Sequence, residues 1–224
     1  MSQYDVDVTY TSTLCSYLGT KILSGDVEAV KGLYINIWRE NPALLKTATL
    51  LQEGLTAYEI GNDENGTYCE EFLYYWGMLC LGEQSDLIFK DLGTAKSCFR
   101  RIKHVSPKIE SRIAYIQLLE SDEPIKSDNN VERLDKLRKW ASRQDMFSRI
   151  VLAKILFYQY LKEEQSNDGE LPIRVIRLLK EPCQKGHPVA IRFWNKILAC
   201  TESSAFMGRM IGEASINRFC LLDL

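Results

Sequence analysis

Hydrophobic residues recur at spacings of three and four along most of the chain, and polar residues fill the positions between them. This spacing places apolar side chains on one face of an α-helix. Alternating strand patterns are scarce, and glycine, proline or asparagine breakers separate the helical segments. The pattern therefore predicts an all-α fold. The predicted helices lie near residues 12–24, 28–38, 43–60, 69–82, 92–103, 109–120, 131–141, 147–162, 171–181, 188–200 and 205–222.

Four predicted helices share one nine-residue pattern, and the starts of these windows are 39, 37 and 42 residues apart. The first position is small or apolar, the fifth is large and apolar, and the eighth and ninth are apolar. These positions share one helical face, which a single helix cannot cover. Each helix is therefore expected to pair with the amphipathic helix before it and to stack on the next pair. The windows are 72–80, 111–119, 148–156 and 190–198.

The repeats predict one domain over residues 1–224, an α-solenoid of stacked antiparallel helix pairs. Residues 1–66 form divergent N-terminal repeats in this scheme, and 67–202 hold the regular ones. Residues 203–224 are expected to form a capping helix that closes the array. Its predicted buried stripe comprises Phe206, Met207, Met210, Ile211 and Phe219.

The regular region, from Tyr68 to Cys200, resembles the Sel-one-like repeat of the tetratricopeptide superfamily. Trp76-Gly77, Gly82, Asp91, Ala95 and Phe99 fall in the order of that family's motif. The segment 186–190, Gly-His-Pro-Val-Ala, resembles its Gly-His-x-x-Ala turn. The resemblance implies a right-handed superhelical scaffold that mediates protein–protein interaction without chemistry or a cofactor. Ile116, Ala153 and Asn195 depart from the motif, because the family has glycine at these positions.

Composition narrows the classes of partner. The chain carries 28 Lys+Arg against 30 Asp+Glu, a formal net charge of −2. This balance gives no strong electrostatic attraction to nucleic acid or to an anionic membrane. Residues 1–10 lack the features of a signal or transit sequence, and no apolar run approaches the roughly 18 residues that a membrane span needs. The expectation is a cytoplasmic protein without membrane contact.

Residue types that carry chemistry do not form a recognisable site. The seven cysteines include no Cys-x-x-Cys pair, so they are predicted to be reduced and mostly buried. The polar stretch 62–66 resembles a calcium loop only in its glycine, because carboxylates are missing at the first and last positions of the loop. No phosphate-binding or catalytic motif is present, and the chain has two histidines. We expect no enzyme activity, no cofactor and no metal.

Basic residues at equivalent positions of the windows suggest a binding surface. Arg112 and Arg149 occupy the second position of adjacent windows, and Arg192 lies one residue further along in the next. Stacking would align them, so we predict that this row, with Lys154 and Lys196, contacts an acidic segment of a partner. The alternative is a solvated face with local ion pairs.

Aromatic residues suggest a second binding surface. The segment 68–76 holds more rings than one core face can accept, so some should be exposed. Tyr74 or Tyr75 is therefore a candidate interface anchor, and plain core packing is the alternative.

The predicted function is a non-catalytic adaptor that binds another protein. A nucleic-acid-binding helical-repeat protein is one alternative, although the charge balance disfavours it. An enzyme on an α-helical scaffold is the other. Whether the protein self-associates through its exposed end repeats is left undecided by the sequence.

Overall fold

The computed structural model describes residues 16–39, 41–54, 68–84, 90–104, 107–162 and 170–201, and every regular element in these ranges is helical. Helix α1 covers residues 16–23, and a 3₁₀ turn at Ile37–Arg39 follows α2. The other helices are α2 (Val27–Asn36), α3 (Pro42–Gly54), α4 (Glu70–Cys80), α5 (Leu92–Arg101), α6 (Pro107–Leu119), α7 (Asp128–Ser142), α8 (Met146–Lys162), α9 (Glu170–Gln184) and α10 (Pro188–Thr201).

The helix boundaries follow capping residues in the sequence. Asp26 accepts a hydrogen bond from the Ala29 amide at the start of α2, and Asp91 accepts one from the Thr94 amide at the start of α5. Such side chains satisfy amides that have no partner within the helix. Gly186 has a φ of 69° after α9, a left-handed conformation that favours glycine at a helix end.

The all-helical prediction is confirmed for the described residues, where the predicted helices agree with the observed ones to within a few residues. The predicted helix at 205–222, with its stripe Phe206, Met207, Met210, Ile211 and Phe219, lies outside the described residues. One detail of the repeat pattern is wrong. The ninth position is buried at Cys80, but Leu119 is 42% exposed because α6 ends there.

Contacts divide the chain into two compact units, Met1–Ser106 and Pro107–Leu224. In the first unit, α4 packs against α2 and α5. Phe72 and Trp76, the first and fifth residues of the first window, are fully buried. A Cβ at Gly77 would come within 2.9 Å of the Phe99 ring, so glycine permits the close approach of α4 and α5.

In the second unit, window helices contact the helices beside them in sequence and also one another. Helix α6 packs against α7 and α8, and α8 packs against α7, α9 and α10. The first and fifth window positions are buried in all three of α6, α8 and α10. Aromatic rings join the window helices: Tyr115 of α6 meets Phe147 of α8 edge-on at 5.6 Å, and Phe157 of α8 meets Phe193 of α10 at 5.8 Å.

Candidate partner-binding surfaces

Arg112, the first member of the predicted basic row, is buried. Its side chain is 4% exposed, and its Nη1 donates to Asp145 Oδ2 at 2.6 Å. The guanidinium carbon lies 4.2 Å from the centroid of the Phe147 ring, a cation–π contact. Arg112 therefore joins α6 to the start of α8 from inside the unit.

Asp145 is held by two helices. It accepts from the Ser148 amide at 3.0 Å and from the Ser148 hydroxyl at 2.5 Å, so it caps α8 while it pairs with Arg112. Burial raises the pKa of this carboxyl, but the hydrogen bond and charge of Arg112 and the Ser148 donors outweigh burial. The pKa of Asp145 consequently lies below its ordinary value.

Arg149, the second member of the row, also points into the unit. Its Nε donates to the carbonyl of Ala141 at 3.0 Å, near the end of α7, and its Nη1 pairs with Glu181 of α9. Glu181 also accepts from Lys185 at 2.7 Å. These hydrogen bonds and charges lower the pKa of Glu181, with Lys185 contributing most. Arg149 thus ties α8 to both of its sequence neighbours.

The predicted row of surface arginines therefore needs correction at Arg112 and Arg149. Their guanidinium groups lie against acidic partners within the unit instead of forming an exposed row. The physical reason is that Asp145 caps α8 and Glu181 belongs to α9, so both carboxylates reach the arginines only after the helices stack. A role for either arginine in binding would require its ion pair to open.

The other three basic candidates lie on α8 and α10. Lys154 Nζ is 6.0 Å from the centroid of the Phe193 ring, so the contact of the two helices brings it beside α10. Arg192 and Lys196 are one helical turn apart on α10, where Arg192 is half-buried and Lys196 is exposed. Their part in binding stays a prediction.

Tyr74 and Tyr75 are both half-buried on α4, in the first unit. The Tyr74 ring meets those of Tyr75 and Phe99, and Tyr75 also meets Tyr34 at 5.7 Å. Lys31 lies 5.9 Å from the Tyr75 centroid. Burial raises the pKa of Tyr75, and the Lys31 charge offsets only part of that effect. The two rings combine packing against neighbouring helices with partial exposure, so an interface role stays a prediction.

A groove in the first unit was not foreseen from the sequence. Its volume is about 590 Å³, and α1, α2, the turn after α2 and the start of α3 line it. Gly32 on its floor leaves open space where a side chain would otherwise stand. The only sequence signal was this glycine inside a predicted helix, which by itself does not indicate a groove. The lining residues are Leu18, Glu28, Ala29, Gly32, Leu33, Asn36, Arg39, Asn41, Pro42 and Leu44.

Among the cysteines whose side chains the structure describes, Cys69, Cys80, Cys98 and Cys183, none forms a disulfide. Cys80, Cys98 and Cys183 are buried, whereas Cys69, which precedes α4, is exposed. Burial raises the pKa of Cys98 to about 12 and that of Cys80 well above its ordinary value. Neither buried thiol is therefore a reactive thiolate near neutral pH.

The described ranges contain no group of three His, Cys, Asp or Glu side chains that could hold a metal ion. Across the same ranges, no helix combines the length and apolar character needed to cross a bilayer.

Comparison with protein-family models, with curated proteins and with solved structures found no match for this chain. The resemblance to Sel-one-like repeats therefore rests on residues such as Trp76, Gly77, Ala95 and Phe99, and stays a prediction.

Proposed function

We propose that this protein is a non-catalytic scaffold, an α-solenoid of Sel-one-like helix pairs that binds another protein on its surface. The observation that carries the proposal is the packing order of the second unit. Helices α6, α8 and α10 contact one another in sequence, although a partner helix separates each of them from the next along the chain. Stacked repeat proteins bury a continuous core in this way and present equivalent surface positions repeatedly.

The lowered pKa values of Asp145 and Glu181 support a structural use of charge at these two carboxylates. Asp145 pairs with Arg112, and Glu181 pairs with Arg149 and Lys185. Such ion pairs account for the lowered pKa values without a substrate. This favours a scaffold over the enzyme alternative.

The surface that we propose for the partner joins Lys154 of α8 with Arg192 and Lys196 of α10. Contact between Lys154 and the Phe193 ring places the lysine beside the helix that carries the other two. Three basic groups on two helices in contact would attract an acidic segment and orient it along the contact of α8 with α10. Arg112 and Arg149 would support this surface indirectly, by fixing α8 against α6, α7 and α9.

The test is quantitative capture of partners from native lysate on the tagged full chain. The test variant is Arg192→Glu/Lys196→Glu, and the control is Lys136→Glu/Lys139→Glu, which makes the same charge change on α7. One protein retained at stoichiometric amount by the wild type and the control, and lost with the test variant, supports the proposal. Retention of that protein by the test variant at the wild-type level would exclude this surface, and stoichiometric capture of RNA alone would exclude the function.

A further inference from the structure

The groove in the first unit has the dimensions of a ligand-binding site. Its volume of about 590 Å³ lies within the range of roughly 300–1,000 Å³ that is usual for such sites. Helix α2 lines it from its first turn to its last, and α1 and the start of α3 supply Leu18, Pro42 and Leu44. A ligand in this groove would therefore lie along α2, in contact with apolar side chains of two other helices.

The middle of the groove is apolar and has room for a side chain from outside. Ala29 and Gly32 lie one turn apart on α2, and Leu18 and Leu44 also line the groove. A Cβ placed at Gly32 would meet nothing within 4 Å. An apolar side chain of a ligand can therefore pack against the α2 backbone at this point.

One end of the groove is rich in hydrogen-bond donors. Arg39 is exposed there, and its guanidinium forms no ion pair with the described residues. Asn41 caps α3 by accepting from the Ala43 amide at 2.9 Å, so its Nδ2 is left to donate. Asn36 donates one Nδ2 hydrogen to the carbonyl of Gly32 at 2.8 Å and keeps the other. These donors match a carboxylate group of a ligand.

The opposite end of the groove carries excess negative charge. Glu28, in the first turn of α2, has an 80% exposed side chain and accepts from Lys31 at 3.3 Å. The same lysine lies 3.9 Å from Glu71 of α4, so one cation is shared by two carboxylates. Glu28 and Arg39 are about 16–18 Å apart along α2 and the turn that follows it. The groove thus has an acidic end, an apolar middle and a donor-rich end.

We infer that the groove binds an extended segment of a partner protein in which an acidic, an apolar and a basic residue alternate with residues that face away. The carboxylate of this segment accepts from Arg39 and Asn41. Its apolar side chain fills the space over Gly32, and its basic side chain meets Glu28. In a strand these side chains, at i, i+2 and i+4, share one face, and their outer Cα atoms are about 13 Å apart. The long acidic and basic side chains span the remaining distance.

The shape and charge of the groove favour this occupant over others. A helix of about 10 Å diameter and about 17 Å length occupies roughly 1,300 Å³, more than the groove encloses. A small apolar acid would supply no positive charge for the acidic end, and a nucleic acid would place phosphates beside Glu28 and Glu71. Glu28 and Arg39 are both exposed, so the chain of the partner can continue beyond each end. The site is additional to the surface proposed on α8 and α10.

The probes are two end-capped, fluorescein-labelled peptides, Ser-Glu-Thr-Leu-Thr-Arg-Ser and the same sequence in reverse order, because a chain can enter the groove in either direction. Comparison peptides have serine in place of leucine, lysine in place of glutamate, or glutamate and arginine side by side. Binding to the full chain is measured by fluorescence anisotropy. The variants are Gly32→Leu, which fills the open space, and Arg39→Glu. The control is Lys46→Glu, which makes the same charge change at an exposed position of α3 outside the groove.

The expected result is saturable binding of at least one of the two probes, about tenfold weaker with Arg39→Glu and unchanged with Lys46→Glu. Gly32→Leu should weaken binding at least about tenfold but retain or raise the wild-type urea midpoint, because a side chain there meets open space. The peptide with lysine in place of glutamate should bind Arg39→Glu more tightly than it binds the wild type, since the exchange restores opposite charges. Serine in place of leucine should weaken binding about tenfold or more, the effect of losing a buried leucine.

Absence of saturable binding by both probes overturns the inference, as does equal binding to Gly32→Leu or Arg39→Glu, or equal binding of the peptide with adjacent charges. Binding that arises only after Val8→Asp would identify the first residues of the chain itself as the occupant. A dimer in sedimentation that is lost with Gly32→Leu would identify a second copy, and either result overturns the inference as well. The proposed function is judged separately, because lysate capture sensitive to Arg192→Glu/Lys196→Glu tests the second unit.

Discussion

Removing one partner of the ion pair between Arg112 and Asp145 should strongly destabilise the second unit, because the other charge is then buried without a partner. The two side chains are 4% and 10% exposed, and their charged atoms are 2.6 Å apart. The perturbation is Asp145→Ser, because serine retains the ability to cap α8 but removes the charge. The guanidinium of Arg112 then stays buried beside Phe147 without its carboxylate.

The expected loss is about 3–5 kcal/mol in the free energy of unfolding, the range for a buried pair deprived of one partner. The cap contributes little to the difference, since serine and aspartate are similar N-caps. Replacing both partners, with Arg112→Met/Asp145→Ser, should recover at least about 2 kcal/mol, because no buried charge then lacks a partner. The same reasoning predicts that Arg112→Glu unfolds this unit, because it places a second carboxylate beside Asp145.

The assay is urea unfolding at pH 7 followed by far-ultraviolet circular dichroism. Because the chain has two units that can unfold separately, hydrogen exchange of peptides from α6 and α8 accompanies it. Loss of protection in those peptides locates the effect. A loss below about 1 kcal/mol for Asp145→Ser would refute the reasoning, because that is the effect expected of a solvated pair. The absence of any recovery in the double variant would refute it as well.

Three further predictions concern packing, pH and thiols. Gly77→Ala should lower the free energy of unfolding in urea by about 1–3 kcal/mol, because its methyl group would come within 2.9 Å of Phe99. Gly32→Ala has open space and better helix propensity, so it should raise that free energy by about 0.5–1 kcal/mol. Equal effects of the two substitutions would contradict the close approach of α4 and α5. Because the pKa of Asp145 is lowered in the folded protein, its ionised carboxylate stabilises the fold above the ordinary pKa of 3.8, and this stabilisation is lost as the pH falls through the lower folded pKa. Asp145→Ser should therefore reduce the fall in the free energy of unfolding at acid pH. An unchanged acid dependence would contradict the ion pair. Cys69 should react with a maleimide much faster than Cys80 or Cys98, measured by peptide mass spectrometry, and comparable rates would show that the α4–α5 core opens readily.

The helices were predictable because each depends on local spacing and on breakers near its ends. The first and fifth window positions, such as Ser148 and Leu152, were predictable for the same reason, and both are buried. The exposure of Leu119 was not predictable, because the sequence does not fix the last turn of α6 closely enough to say whether this side chain faces the core.

The role of the arginines could not be predicted from local pattern. Arg112 and Asp145 are 33 residues apart, and Arg149 and Glu181 are 32 apart, so each pair forms only when the helices stack. A charged residue on an amphipathic helix is expected at the surface unless a partner is known. The one local signal was Asp145 three residues before Ser148, which indicates a cap but not an ion pair.

The central structural claim is that window helices stack on one another across the helix between them, and a double-mutant cycle at the α8–α10 contact tests it most directly. Phe157→Leu, Phe193→Leu and the double variant are compared by urea unfolding, because these rings meet edge-on at 5.8 Å. Stacking predicts a coupling energy of about 0.5–1.5 kcal/mol between them. Additive effects, with a coupling below about 0.3 kcal/mol, would contradict it.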